Sequence, residues 1–307
     1  MKDLLLGFSG SLGLFIRTWF LPTAIAVWLW GAFIFPIVSK SQPFVRLASL
    51  DPTNRLLAGG FIAVILAYAV AGASAVVYDL LQGYRCWPVK HLTKRRDKWT
   101  ETRSELIEAV NRPEVLNDRV RRNIYRAELD KFPRRKANVM PTRLGNALRG
   151  AESYGRVQYG LDTVQLWWPL LSVTEESTRT SVHEARAVMD FWIGILIGSL
   201  GFAALSVISA IFLWEPLAAV GAISILVTIP AYLAAVAAAG PYGRLVRSIA
   251  DVSRFKLAEQ LGLTIPPNID DEKRIWRAVS DYSAWGPSAK KKDEWIETIR
   301  KARAGEP

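Results

Sequence analysis

Residues 191–214 read FWIGILIGSLGFAALSVISAIFLW, and after a single Glu215 residues 216–243 read PLAAVGAISILVTIPAYLAAVAAAGPYG. Neither stretch holds a charged side chain; Asp190 precedes the first and Arg244 follows the second. A helix needs roughly 20 apolar residues to cross a hydrocarbon core of about 30 Å. Backbone groups in lipid must also be satisfied within the helix itself. The two stretches therefore predict an antiparallel transmembrane hairpin, turned at Trp214-Glu215-Pro216, where Pro216 suits a first helical turn. Pro230 should kink the second helix, because it removes one backbone hydrogen bond and crowds the preceding turn.

Two more stretches have the same character. Thr18 to Ser39 lies between Arg17 and Lys40, and Leu56 to Tyr78 lies between Arg55 and Asp79. The expected fold is all-α, with four transmembrane helices at 18–39, 56–78, 191–214 and 216–243. Residues 1–17 are expected to form an interfacial helix, Leu4 to Ile16 in particular. Lys2 before an apolar run and Ala24-Ile25-Ala26 imitate a signal peptide, but Arg17 interrupts the run and the chain stays apolar to Val38.

Positive charge near span ends sets orientation. The segment after the second span carries Arg85, Lys90, Lys94, Arg95, Arg96 and Lys98, and the last span is followed by Arg244, Arg247, Arg254 and Lys256. The loop between the first two spans has only Lys40, Arg46 and Arg55. Both termini are thus expected inside the cell, with residues 79–190 forming a cytoplasmic helical domain on which a tail at 244–307 rests. The chain has 307 residues, half of them apolar, and a net charge of +11, a composition that suits a membrane half joined to a basic soluble half. One cysteine, Cys86, excludes an intramolecular disulfide, and two histidines, His91 and His183, leave little to bind a metal.

The spans contain no ionisable residue, which argues against an ion-coupled transporter. Small residues stand out instead. Gly59, Ala63, Ala67, Ala71 and Ala75 recur every fourth position in the second span, and Gly194 and Gly198 form a GxxxG in the third. Such faces let helices approach closely in lipid, either within one chain or between subunits, where an alanine-lined pore is one special case.

In the polar half, Leu92 to Phe132 has helical periodicity with a break at Pro113. Leu106, Ile107 and Val110 form one apolar stripe, and Leu116, Val120, Ile124 and Ala127 form another. Residues 80–190 hold 21 Lys and Arg against 14 Asp and Glu, an excess of seven. A basic surface next to a bilayer attracts anionic headgroups. Nucleic acid would answer the same charge, but no recognisable nucleic-acid motif accompanies it.

The run Thr142-Arg143-Leu144-Gly145-Asn146 is followed by Tyr159-Gly160-Leu161-Asp162 and then by Trp167-Trp168-Pro169. Leu161 to Val173 reads as an amphipathic segment at the inner leaflet, with Trp167 and Trp168 at headgroup level and Arg95 and Arg96 as basic partners; packing inside the polar domain is the alternative. The run resembles a segment of uncharacterised bacterial multi-pass membrane proteins, in which a TRLGN-type stretch precedes a YGLD stretch and a tryptophan-proline pair. The likeness covers about residues 141–171, with a weaker echo from Leu257 to Tyr282. It implies membership of that group, and it brings no activity or catalytic residue.

Ser172-Val173-Thr174-Glu175 has the form of a capping box. A helix starting there could run about 40 residues through His183 and Asp190 into the third span, coupling the polar domain to the membrane. In the tail, Gly240-Pro241 marks the expected end of the fourth span. A helix should follow to Leu261, then a Pro266-Pro267 break, then a helix capped by Asp270 or Asp271 with Ile275, Val279 and Tyr282 on one face. Lys290, Lys291 and Lys292 suggest a solvated or lipid-touching end.

Catalytic signatures are absent. Gly145 and Gly150 have phosphate-loop spacing, but Ala151 and Glu152 stand where lysine and a hydroxyl are needed. No Cys and His cluster suits zinc, and no nucleophile elbow occurs. The sequence thus predicts no enzyme, no cofactor and no metal, an enzyme acting on lipid being the residual case. Two functional readings follow. The first is an inner-membrane scaffold or signalling component that presents a basic domain to anionic lipid or to a soluble protein partner. The second is a homo-oligomeric channel or pore-forming effector gated by that domain.

Overall fold

A computed structural model describes residues 13–39, 44–85, 88–212, 217–286 and 291–305. Cys86, most of the Leu4–Ile16 segment, the Trp214-Glu215-Pro216 turn, Lys40 and Lys290 lie outside the described residues. Every element described is helical. Four helices are long and apolar enough to cross a membrane: α1 (Gly13–Phe33), α4 (Pro52–Gln82), α11 (Glu176–Phe212) and α12 (Leu217–Leu261). Short helices α2 (Phe35–Val38) and α3 (Phe44–Ala48) lie between the first two. The chain divides into two compact units, Met1–Tyr78 with Ala185–Ala238, and Asp79–Glu184 with Ala239–Pro307.

The first unit holds the apolar spans. α1 begins at least five residues before Thr18 and includes a π-helical turn, Ile16–Phe20, so residues 13–16 continue into the span with no separate interfacial helix among them. It stops at Ile34 because Pro36 has no N–H to continue the ladder. Ile34 and Val38 then pack with Phe202 in a small buried cluster. α4 starts where Asp51 accepts hydrogen bonds from the N–H groups of Thr53 and Asn54, with Pro52 at the first helical position.

The second unit holds the polar helices α5 (Val89–Asn111), α6 (Pro113–Leu116), α7 (Arg119–Leu129), α8 (Arg143–Glu152), α9 (Tyr154–Gln158), α10 (Trp167–Val173), α13 (Ile269–Trp285) and α14 (Lys292–Ala304). The expected break at Pro113 is present. Leu161, Leu170, Ile249, Leu257 and Trp276 form its main core. Trp276, expected only beside the apolar face, is the largest fully buried side chain.

Several boundaries differ from expectation. α11 starts at Glu176, four residues after Ser172; the Ser172 hydroxyl donates to Pro169 O at 2.8 Å inside α10 and makes no capping box. The single long helix through His183 and Asp190 is nevertheless present. α12 runs 45 residues, passing both Pro230 and Gly240-Pro241. A helix-interior proline costs about 3 kcal/mol. Val246, Ile249 and Leu257 beyond Pro241 are all buried, and each such burial contributes about 1.5–3 kcal/mol. Continuing the helix therefore outweighs breaking it. α13 is capped by Asn268, whose side chain accepts from Asp270 N, two residues before the expected cap. Lys291 and Lys292 are exposed, and Lys292 opens α14, which packs on α13; the carbonyl of buried Ala302 accepts from Thr264 N.

Candidate functional site

The TRLGN run forms a structural buckle. Thr142 caps α8: its hydroxyl accepts from Gly145 N at 2.9 Å and donates to Gln82 O, at the end of α4, at 3.2 Å. Gly145 is required there, because a Cβ would lie 2.4 Å from Gln82 O. Asn146 is buried and fully engaged: its Oδ1 accepts from Met140 N at 2.7 Å, while Nδ2 donates to Met140 O and Thr142 O, each at 2.9 Å. The YGLD run works the same way. Gly160 has φ +80° and its α-carbon faces the Lys273 backbone, where a Cβ would meet Lys273 O at 2.3 Å. Leu161 enters the core. Asp162 accepts from the N–H groups of Val164 and Gln165 and from Arg156 Nη1. The run that suggested a functional signature thus holds loops and helix ends together.

The two tryptophans separate. Trp167 packs against the core, whereas Trp168 is 75% exposed. Arg95 is exposed, while Arg96 is half-buried and donates to Val139 O and Ala137 O, both at 2.9 Å. Arg96 therefore pins the 137–139 segment.

The most distinctive surface belongs to α7. Asp118 caps it, accepting from Val120 N and Arg121 N, each at 3.0 Å. Its half-buried side carries Arg122, Tyr125 and Leu129, and the helix packs against α5. The predicted apolar stripe lies on the opposite side. Leu116, just before α7, and Val120 and Ile124 within it are 46, 68 and 58% exposed. Arg119 and Arg126 flank this stripe on one edge, and Arg121, paired with Asp118 at 3.2 Å, flanks the other. The stripe was visible as periodicity; that it faces outward was not, because periodicity shows a face and not what covers it.

Deeper in the second unit, Asp251 accepts from the hydroxyls of Tyr154 at 2.9 Å and Tyr159 at 2.7 Å. Burial, and then the bond to Asp251, push both phenols above their usual range. Arg254 stacks 3.9 Å from the Tyr159 ring centre and donates to buried Glu272 at 2.8 Å. Trp276 donates to the same carboxylate at 3.3 Å. This is a satisfied core network, and sequence spacing gives no sign of it.

In the first unit Gly194 and Gly198 of α11 face α1. A Cβ on Gly194 would lie 3.1 Å from Pro22 and from Thr18 O, and one on Gly198 3.5 Å from Ala26. α11 therefore approaches α1 closely. Ala63 and Ala67 are buried, while Gly59 and Ala71 are half-buried and Ala75 is exposed. Asp190, expected only as a span boundary, is buried; it accepts from the Tyr78 hydroxyl, and Arg186 lies 3.6 Å away.

No group of His, Cys, Asp and Glu among the described residues is placed to hold a metal. No family model, curated protein or solved structure matches the chain.

Proposed function

We propose that the chain is a multi-pass protein of a bacterial inner membrane, a scaffold or signalling component whose polar unit docks its basic face on anionic lipid. In this reading both termini and residues 79–190 lie in the cytoplasm, on the side where Arg85, Lys90, Lys94, Arg95, Arg96 and Lys98 cluster beside a span end. The exposed aliphatic stripe of α7 carries the reading. A helix with an apolar face bordered by arginines suits the boundary between acyl chains and headgroups. Near such a surface each arginine is worth about 1 kcal/mol, so Arg119 and Arg126 together contribute roughly 30-fold in binding. An anionic bilayer satisfies both the stripe and its charged border, whereas a soluble partner would need a matching acidic and apolar patch.

The test places a spin label at Val120→Cys, in a Cys86→Ser background, in full-length protein reconstituted into nanodiscs. Phosphatidylglycerol nanodiscs should protect the label from water-soluble relaxation agents, and phosphatidylcholine or high salt should release it. A label that stays equally accessible in both lipids sinks the lipid reading. Protection that appears only when a purified acidic protein is added would transfer the stripe to a protein partner.

A further inference from the structure

We propose that a cavity walled by Arg103, Arg134 and Arg247 binds a phosphate-type oxyanion, carried either by a lipid headgroup or by a small soluble phosphate ester. The cavity has a volume of about 190 Å³ and opens between the end of α7, the loop after it, and α12, with Tyr154 and Gly150 on its inner wall. A single water needs roughly 10–15 Å³, so the space admits a tetrahedral oxyanion and part of what it is esterified to. The site uses residues other than the exposed stripe of α7.

Its walls concentrate positive charge from distant parts of the chain. Arg134 and Arg247 lie 4.9 and 5.8 Å from the centre of one ring, that of Tyr154. The Tyr154 hydroxyl is already committed to Asp251. Arg103 donates through Nε to Pro133 O at 2.9 Å and through Nη2 to Arg134 O, which fixes its guanidinium. Arg134 donates through Nη1 to Gln158. Arg247 donates through Nη2 to Asp130 O at 2.5 Å, with Nη1 3.5 Å from Asp130 Oδ1.

One carboxylate, that of Asp130, 73% exposed, shares the lining with three guanidinium groups, leaving an excess of two positive charges. Each guanidinium carries five N–H donors, and those bonds leave most of them unused. The Arg247 side chain keeps 20% of its surface exposed, so its guanidinium is not sealed off from the cavity. A phosphate oxyanion supplies several acceptors and the missing negative charge at once, and it is the group that arginine forks match in geometry.

The test uses the full chain in phosphatidylcholine nanodiscs, titrated calorimetrically with inorganic pyrophosphate. Wild-type protein should bind, and Arg134→Gln and Arg247→Gln should each weaken binding by about 10-fold or more. Arg277→Gln, an exposed change on α13, should leave binding unaltered. Arg134 is itself exposed, so its variant keeps the comparison valid if Arg247→Gln perturbs folding, which circular dichroism reports. A parallel arm measures retention of phosphatidate by native mass spectrometry. Lipid retention lost in the same two variants, without pyrophosphate binding, assigns the oxyanion to a headgroup. Pyrophosphate binding without lipid retention assigns it to a soluble ester. Failure to bind either probe, or equal losses in Arg277→Gln, overturns the site.

Discussion

At the scale of single residues, the polar unit depends on side chains that bond to backbone where regular structure ends. Asn146 adds a second bond to Thr142 O, which Asn146 N already reaches, and alone satisfies Met140 N and Met140 O. Removing it leaves those groups buried, and each unsatisfied group costs about 1–3 kcal/mol. Asn146→Ala should therefore lower the thermal midpoint in detergent by several degrees, followed by circular dichroism; an unchanged midpoint would show that water replaces the amide. The tyrosine pair makes a second prediction. Tyr154 and Tyr159 have raised pKa values in the fold, against a usual value of 10.0. Folding favours their protonated forms, so this stabilisation is complete below pH 10 and is lost as pH rises above it. Between pH 9.5 and 11.5 wild type should lose stability more steeply than Tyr154→Phe with Tyr159→Phe. Parallel curves would mean that the phenols carry no linkage.

At the scale of elements, sequence and structure agree where one physical signal dominates. Charge-free stretches of span length marked α1, α4, α11 and α12, because bilayer thickness fixes both length and composition. The break at Pro113 was legible for the same reason, proline being a strong local signal. Local signals failed where tertiary packing outweighed them. Pro241 does not end α12, since the residues beyond it enter the core, and Ser172 is drawn into α10 and cannot cap α11. The cavity was illegible, because Arg103, Arg134 and Arg247 meet only through folding. The Gly194 and Gly198 face was legible as a packing surface, and the structure supplies its partner, α1. Gly194→Leu should thus destabilise the full-length protein in micelles by about 1–3 kcal/mol, the usual cost of overpacking. Ala75→Leu, on an exposed position of α4, should change it by less than about 0.5 kcal/mol. Equal effects at both positions would remove the α1–α11 contact as the reason for the glycine.

At the scale of the whole molecule, a scaffold and an assembled pore make different demands on the small-residue faces. A pore of several copies needs close-packing surface left over after each chain has folded. Here Ala63 and Ala67 are already buried, and Gly194 and Gly198 face Pro22 and Ala26 of the same chain. The large residues exposed on α4 are apolar, Leu56, Phe61 and Ile65 among them, which suits acyl chains better than a narrow water-filled lumen, although Gly60, Gly72 and Ala75 are exposed beside them. Native mass spectrometry of the protein released from nanodiscs should therefore report one or two copies. Ala67→Leu should lower stability without changing that number, because the added methyl groups would collide inside the chain. A ring of four or more copies, dispersed by Ala67→Leu, would instead mean that the face opens to a neighbour in the membrane. Bilayer conductance would then be the property to measure, with the channel reading in place of the scaffold.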